Sequence, residues 1–206
     1  MNEVHAMEEG FVTYSKIRFN AMDPKLEDIK IEDIAHALSM MVRLNGHYPS
    51  FFSVGQHSIQ CCKEAMSRHY VPEVSLGCLL HDASEAYLSD VVGSSKKNMT
   101  MYLQIENQVQ GAIYRKFLGE VPMGEASVLI KGINDACYYY EYKHFMGIEQ
   151  RPEEPMILSD MSYEFEPFDK VEAQFLELFY KLMSEIKTSK LGNVYPVKDE
   201  SAKIKL

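Results

Sequence analysis

The sequence contains no tryptophan, and its four cysteines, Cys61, Cys62, Cys78 and Cys137, form no CxxC pair. The lack of CxxC pairs argues against a zinc ribbon, and the small number of cysteines argues against a disulfide framework. We therefore expect reduced and mostly buried thiols. No apolar run approaches the roughly 20 residues that a membrane-spanning helix needs. The acidic first residues are unlike the basic start of a signal peptide. We therefore expect a cytoplasmic protein that does not contact a membrane.

Positive charge is also scarce, since 21 Lys and Arg stand against 30 Asp and Glu and the net charge is -9. This balance argues against nucleic acid or an anionic membrane as a partner, because both are bound by clusters of Lys and Arg. A small anionic substrate stays compatible if metal ions and one or two local cations neutralise it. The length of 206 residues suits one domain with tails. We expect an N-terminal arm over 1–30, a helical core over 31–188 and a C-terminal tail over 189–206.

Apolar residues recur at helical spacing through most of the chain after its first thirty residues. This spacing predicts six helices over residues 31–46, 53–69, 73–87, 101–119, 127–147 and 170–186. Before them, β-branched and aromatic residues with a break at Asp23-Pro24 predict a short hairpin or extended arm. The expected fold class is therefore all-α, a bundle of about six helices with a short N-terminal arm.

The stretch LGCLLHDASEAYLSDV, residues 76–91, sets polar side chains in an apolar run. His81, Asp82, Glu85 and Asp90 would each incur a desolvation cost in or beside a buried helix. A metal ion or a catalytic network is the most plausible compensation for that cost. The stretch therefore predicts a functional site rather than a simple core helix.

Two further residues of metal-ligand type stand among apolar neighbours, His57 in the second predicted helix and Asp135 in the fifth. Together with His81 and Asp82 they offer two imidazoles and two carboxylates, which suit a borderline divalent transition metal with open positions for water and substrate. Taken singly, His57 could be satisfied by a backbone carbonyl, and Asp135 could pair with Lys131 one turn away. The joint pattern favours the metal.

The order His57, His81-Asp82 and Asp135 on a helical chain resembles the HD-domain metal-dependent phosphohydrolases. The resemblance runs from about residue 14 to about residue 179. It implies an HD-domain helical bundle in which these four side chains hold one divalent transition-metal ion: Co, Mn, Zn, Fe or Ni. It also implies a homodimer.

Within that family, the two carboxylates that follow the His81-Asp82 pair indicate one branch. Glu85 and Asp90, three and eight residues after Asp82, are similar to the pattern of bacterial 5′-deoxynucleotidases, whereas alarmone hydrolases carry Glu-Asp where this chain has Glu85-Ala86. The resemblance implies that Glu85 and Asp90 are catalytic, one acting on water and the other protonating the leaving oxygen, and does not say which. Without the metal ligands, Glu85 would be interpreted more simply as a surface helix residue and Asp90 as a loop residue.

A fixed cation for phosphate is expected at Arg43, because the resembling enzymes have a phosphate-binding arginine at almost the same offset before the first histidine. Arginine offers a planar fork that matches two phosphate oxygens. The alternative is that Arg43 complements the dipole at a helix end. His47 is either a second phosphate contact or a loop histidine. Leu44 stands where the resembling enzymes have a tryptophan thought to exclude a 2′-hydroxyl, which leaves the sugar preference open.

These residues predict a metal-dependent phosphohydrolase that acts on nucleotides, most specifically on (deoxy)nucleoside 5′-monophosphates. One alternative is a (deoxy)nucleoside triphosphate hydrolase that releases pyrophosphate or triphosphate. Another is a regulatory HD protein that binds metal and nucleotide without turnover. The tyrosine-rich YYYEY, residues 138–142, is interpreted either as a pocket wall that stacks a base or as core and dimer-interface packing.

Overall fold

The structure, a computed structural model, describes residues 10–194. Within that range the chain is mostly helical, and its sheet is a two-stranded antiparallel hairpin. The elements are β1 Phe11–Val12, β2 Arg18–Phe19, α1 Ile31–Met40, α2 Val54–Ser67, α3 Pro72–Leu79, α4 Glu85–Leu88, α5 Gly93–Lys96, α6 Thr100–Leu118, α7 Glu125–Met146 and α8 Phe168–Val194. The predicted all-α class with a short N-terminal hairpin is confirmed.

Both predicted ends of the chain reach beyond the described residues. The arm is described from residue 10, where β1 and β2 pair. Helix α8 continues past residue 188 to Val194, and the rest of the predicted tail, 195–206, lies outside the described range. Among residues 10–194, no helix combines the length and the apolar character that a bilayer span requires.

The core is formed where α1, α2, α3 and α8 pack together, with α7 lying across α2 and α3. Helix α2 is buried along nearly its whole length, unlike an amphipathic surface helix, so both its faces contact other helices. Side chains from the surrounding helices fill the space next to it, among them Ile34, Leu38, Leu76 and Phe175. Most polar residues on α2, His57 among them, therefore face the protein interior, whereas Lys63 is exposed.

The start of α2 is set by a capping box. The backbone N–H of Gln56 donates to Ser53 Oγ at 3.0 Å, and the backbone N–H of Ser53 donates to Gln56 Oε1 at 3.2 Å. These bonds satisfy two amide groups that have no partner inside the helix. The first turn of α2, which carries His57, is consequently held rigidly.

Helix α1 ends at Met40, so the predicted extension to residue 46 is wrong. The chain instead becomes extended and pairs with the segment before α2, since the N–H of Arg43 donates to Phe52 O at 2.8 Å and the N–H of Val54 donates to Met41 O at 2.9 Å. Leu44 and Asn45 then take left-handed conformations in a 3-10 turn. Arg43 therefore lies outside α1 and does not complement its dipole.

The third predicted helix, 73–87, is broken into α3 and α4 by a turn at residues 80–84. Side chains take over hydrogen bonds that a continuous helix would make internally. Gln110 donates to Leu80 O at 2.7 Å and accepts from the Ser84 N–H at 2.9 Å. Because of this break, His81 and Asp82 lie in a turn between two helices rather than on a helix face.

Helix α7 approaches α3 closely at Gly77. A Cβ built at this position would lie 2.5 Å from Ile130 Cδ1, well inside van der Waals contact. A larger residue at this position would require the Ile130 side chain to move, so glycine permits the observed packing of Ile130 against α3. The close approach brings the middle of α7 beside the turn that carries His81 and Asp82.

Candidate functional site

Four segments that are distant in the sequence meet at one buried point. Helix α2 supplies His57, the turn after α3 supplies His81 and Asp82, α7 supplies Glu141, and the 3-10 turn after α1 supplies Arg43. His57 and Glu141 are fully buried, and Arg43 is 9% exposed. Arg43 and Asp82 also line a surface cavity, so the buried cluster has an opening toward solvent.

The two histidines direct their free ring nitrogens at each other. His57 Nδ1 bonds Glu141 Oε1, and His81 Nδ1 lies 2.8 Å from the carbonyl oxygen of Cys78. Since both partners are acceptors, each Nδ1 donates its proton and Nε2 is the nitrogen left for other groups. Burial would lower the pKa of His81, but Asp82, whose Oδ2 lies 3.2 Å from His81 Nε2, outweighs it and raises that pKa. The two Nε2 atoms are 3.1 Å apart. Two imidazole nitrogens at this distance can share one divalent ion, provided that His81 Nε2 is deprotonated when the ion binds.

A carboxylate oxygen completes a triangle with these nitrogens. Asp82 Oδ2 lies 3.2 Å from His81 Nε2 and 3.7 Å from His57 Nε2. Metal–ligand bonds of about 2.0–2.2 Å separate neighbouring ligand atoms by about 2.8–3.6 Å in octahedral or tetrahedral geometry. The spacing of the triangle is close to this range, so these residues fit a divalent ion.

The charges around the triangle favour a neutral His57 and an ionised Asp82. Burial lowers the pKa of His57, and the positive charge of Arg43 adds to that effect. Burial alone would raise the pKa of Asp82, but His81, Arg43 and His57 outweigh it and hold the pKa well below its usual range. A neutral imidazole and an ionised carboxylate are the forms that bind metal.

A thiol also belongs to this cluster. Donor atoms of His57, Cys61 and His81 lie within 4.8 Å of one another, so this group could hold a metal ion. Cys61 follows His57 by one turn of α2, and its Sγ is 3.5 Å from His57 Nε2. The sequence alone predicts Cys61 only as a buried thiol.

Arg43 lies among the same atoms. Its Nη1 donates to Asp82 Oδ2 at 3.2 Å, its Nη2 lies 3.1 Å from His57 Nε2, and its Nε donates to Glu141 Oε2 at 3.1 Å. Burial alone would lower the pKa of Arg43, but Glu141 and Asp82 raise it, so the guanidinium stays charged. A fixed cation beside the triangle suits an anionic ligand, as the sequence analysis expects.

The fourth predicted ligand, Asp135, is placed differently. Its Oδ2 pairs with Lys131 Nζ at 2.5 Å, and its side chain is 44% exposed. The neighbouring side chain Asn134 lies at the histidine pair instead, with Oδ1 3.0 Å from His57 Nε2. Asp135 lines the same cavity as Asp82, so it belongs to the wall of the site while its carboxylate pairs with lysine.

Glu85 is a buried carboxylate at the cavity. It is 4% exposed, and its Oε2 has no hydrogen-bond partner. Burial, together with the charges of Asp82 and Asp90, raises the pKa of Glu85 well above its ordinary value, although Arg43 and Lys96 oppose the shift. The raised pKa favours the protonated form of Glu85, which is the form that can donate a proton. The surface-helix interpretation does not describe this residue.

Asp90 holds the strained turn beside Arg43. Its Oδ2 accepts the backbone N–H of Leu44 at 2.9 Å. Leu44 and Asn45 have φ values of 53° and 51°, a conformation that costs free energy in residues with a Cβ. Asp90 thereby stabilises the turn that aims Arg43. His47 is exposed at the rim of the same cavity.

The cavity above the triangle measures about 1060 Å³. Tyr138 and Tyr142 form part of its wall, with ring centroids 5.6 Å apart, whereas Tyr139 between them is buried in the core. The tyrosine cluster therefore serves both expected roles, pocket wall and core. Lysines also line the cavity: Lys96, Lys97 and Lys131.

Several residues of the site were missed by sequence reasoning: Cys61, Lys96, Asn134 and Glu141. A helical count from His57 could have found Cys61, because positions i and i+4 share a face. Glu141 is six residues after Asp135 and carries no local signal. Its role depends on contacts with residues 84 and 98 positions earlier in the chain, which periodicity does not show.

Glu141→Gln is expected to weaken metal binding by about 10–100-fold, as changes to groups that orient a metal ligand typically do. Glutamine cannot accept both the His57 Nδ1 proton and the Arg43 Nε proton as a carboxylate does. A competition titration against a chromogenic chelator measures the affinity. Glu125→Gln, at an exposed position of the same helix, is the control. Unchanged affinity in Glu141→Gln would contradict the orienting role.

The chain is similar to two curated proteins, and no protein-family model matches it. It is 35% identical over 91 residues to the uncharacterized protein YfdR of Escherichia coli (strain K12), a match that covers 44% of this chain and about half, 48%, of YfdR. It is 25% identical over 185 residues to the uncharacterized protein RCAP_rcc00048 of Rhodobacter capsulatus, covering 82% of this chain and 93% of that protein. Neither name supplies an activity, so the chemistry of the site carries the functional argument.

Proposed function

We propose that this protein is a metal-dependent phosphohydrolase that releases orthophosphate from nucleoside 5′-monophosphates. The observation that carries the proposal is the triangle of His57 Nε2, His81 Nε2 and Asp82 Oδ2, with edges of 3.1, 3.2 and 3.7 Å, beside the guanidinium of Arg43. Metal ligands next to a fixed cation at the floor of a cavity suit a phosphate ester. The resemblance of the motif order to HD-domain phosphohydrolases agrees with this chemistry.

A divalent transition metal at His57, His81 and Asp82 would supply Lewis-acid polarisation of a phosphoryl oxygen. Asp135, which lines the same cavity and pairs with Lys131, would be the fourth residue to hold the ion in this proposal. Arg43 binds two phosphate oxygens with its fork of donors and offsets their charge. The turn held by Asp90 keeps the guanidinium aimed at the floor of the cavity.

Glu85 is assigned as the general acid. Water attacks phosphorus, the bond between phosphorus and the sugar oxygen breaks, and the leaving oxygen takes the proton from Glu85. The ionised Glu85 then recovers a proton from the attacking water through solvent in the cavity. Burial and the raised pKa of Glu85 support this assignment, because the acid must be protonated before reaction.

Two tyrosines of the cavity wall suit a nucleobase, and Leu44 affects which sugar the cavity accepts. Tyr138 and Tyr142 present ring surface to the cavity, which a nucleobase can stack on. Leu44 lines the same cavity and is smaller than the tryptophan of the resembling enzymes. We therefore include ribonucleotides and deoxyribonucleotides as substrates. A homodimer stays a prediction, which sedimentation of the protein would test.

A second candidate, hydrolysis of nucleoside triphosphates, is favoured by one observation. Lys96, Lys97 and Lys131 line the cavity together with Arg43, so cations are available at several points for a longer phosphate chain, although Lys96 pairs with Glu106 and Lys131 with Asp135. Analysis of products separates the two candidates, since a monophosphatase yields orthophosphate and the alternative yields pyrophosphate or triphosphate.

The proposal is tested by a metal-by-substrate screen with phosphate detection. Chelator-treated protein is assayed with Co²⁺, Mn²⁺, Zn²⁺, Fe²⁺ or Ni²⁺ against nucleoside monophosphates and triphosphates. Orthophosphate release from monophosphates is expected with at least one metal and none with chelator present, because the ion offsets the charge of the phosphate. Binding of nucleotide and metal without release of any phosphate product would instead favour the non-catalytic regulatory alternative.

A further inference from the structure

Cys61 places a thiol on the core side of the histidine pair. It is fully buried, and its Sγ lies 3.5 Å from His57 Nε2 and 4.0 Å from His57 Nδ1. Around it are other buried side chains of the cluster between α2, α3 and α7, including Cys78 and Cys137. The histidine pair therefore has a sulfur donor on the side away from the cavity.

The spacing of this thiol fits coordination. Zinc bonds of about 2.3 Å to sulfur and about 2.0–2.1 Å to nitrogen put the two donor atoms about 3.6 Å apart in a tetrahedron. The observed separation of Cys61 Sγ from His57 Nε2 is 3.5 Å. All three donors of His57, Cys61 and His81 lie within 4.8 Å of one another. Because Cys61 Sγ is also 4.0 Å from His57 Nδ1, it lies beside the imidazole ring, and coordination requires the Cys61 side chain to rotate toward the Nε2 lone pair.

Asp82 approaches the same histidines from the other direction. Its side chain is 20% exposed and lines the cavity, whereas Cys61 is fully buried in the core. The two Nε2 atoms therefore have a hard oxygen donor on the cavity side and a soft sulfur donor on the core side. Donor softness decides which metals each side prefers, since thiolate selects Zn²⁺ and heavier thiophilic ions and carboxylate suits Mn²⁺.

We propose that His57, Cys61 and His81 form a core-side coordination site for thiophilic divalent ions such as Zn²⁺ and Cd²⁺, separate from the cavity-side position that uses Asp82. The inference rests on the two histidine ligands of the proposed function. On coordination the Cys61 thiol becomes a thiolate and its proton passes to the buffer. The choice of third ligand makes the position of the ion depend on the metal.

Cd²⁺ titration of the chelator-treated full chain tests the inference. The wild type is expected to develop a thiolate-to-metal charge-transfer absorption that saturates at one equivalent. Cys61→Ser and Cys61→Ala should both bind Cd²⁺ without that absorption, with folding checked by circular dichroism. Cys62→Ser is the matched control, because Cys62 is the next residue, equally buried, and its Sγ faces Met66 at 3.9 Å.

The outcomes separate this inference from the proposed function. Absorption that persists in both Cys61 variants, or that never forms in the wild type, overturns the core-side site even if Mn²⁺ supports phosphate release. Absorption lost in both Cys61 variants and kept in Cys62→Ser supports the site even if no substrate is hydrolysed. Asp82→Asn should keep the Cd²⁺ absorption, and its loss in that variant would contradict a position independent of Asp82.

Discussion

His81→Ala is expected to purify without bound metal and to release no phosphate above background. Its Nε2 forms one corner of the ligand triangle, 3.1 Å from the His57 nitrogen and 3.2 Å from the Asp82 oxygen. Removal of a direct ligand should lower metal affinity by more than the roughly 10–100-fold seen when a residue that hydrogen-bonds to a ligand is changed. Elemental analysis of protein purified without chelator gives the metal content per chain.

The control for this variant is His69→Asn. His69 is exposed just after α2 and has a φ of 58°, a conformation that asparagine tolerates. It should keep both metal and activity. If His81→Ala instead retains metal at the wild-type stoichiometry, the ion lies elsewhere and the assignment of the triangle is wrong.

Glu85→Gln is expected to keep the metal and to lower turnover by about 10²–10⁴-fold, the range for loss of a general acid or base. Glutamine has nearly the shape of the protonated carboxyl but cannot transfer a proton to the leaving oxygen. Metal content and phosphate release measured on the same preparation separate the chemical role from the ligand role. Full activity with bound metal would remove Glu85 from the mechanism.

The same substitution has a stability signature in the metal-free protein. Because the pKa of Glu85 is raised on folding, the folded state binds this proton more tightly than the unfolded state does. The contribution of this proton to the free energy of unfolding is therefore fully present below the ordinary carboxyl pKa, and it is lost as the pH rises through the pKa that Glu85 has in the folded protein. The thermal midpoint of unfolding of Glu85→Gln should rise relative to that of the wild type as the pH increases. Glu120→Gln, at an exposed position, should show no such trend.

Local patterns determined the class of this fold. Apolar spacing placed the helices, and the apolar composition of α3 agrees with its burial, because a helix must cover its apolar surface. Helix α2 is buried although many of its residues are polar, which its composition does not predict. The site was predictable wherever a polar group interrupted such a pattern. His57, His81 and Asp82 all stood among apolar neighbours, and the structure brings these three together.

Only the tertiary structure decided how the site is built. Gln110 breaks the predicted third helix at residues 80–84, and the pairing of Arg43 with Phe52 turns the chain away from α1. Asn134 and Glu141 of α7 lie 77 and 84 positions after His57 in sequence, and both contact its imidazole. These outcomes depend on hydrogen bonds and burial between distant segments, whose free energy exists only once the helices have packed. A periodic pattern reports which face of a helix is buried, and it does not report which polar partner that face will meet.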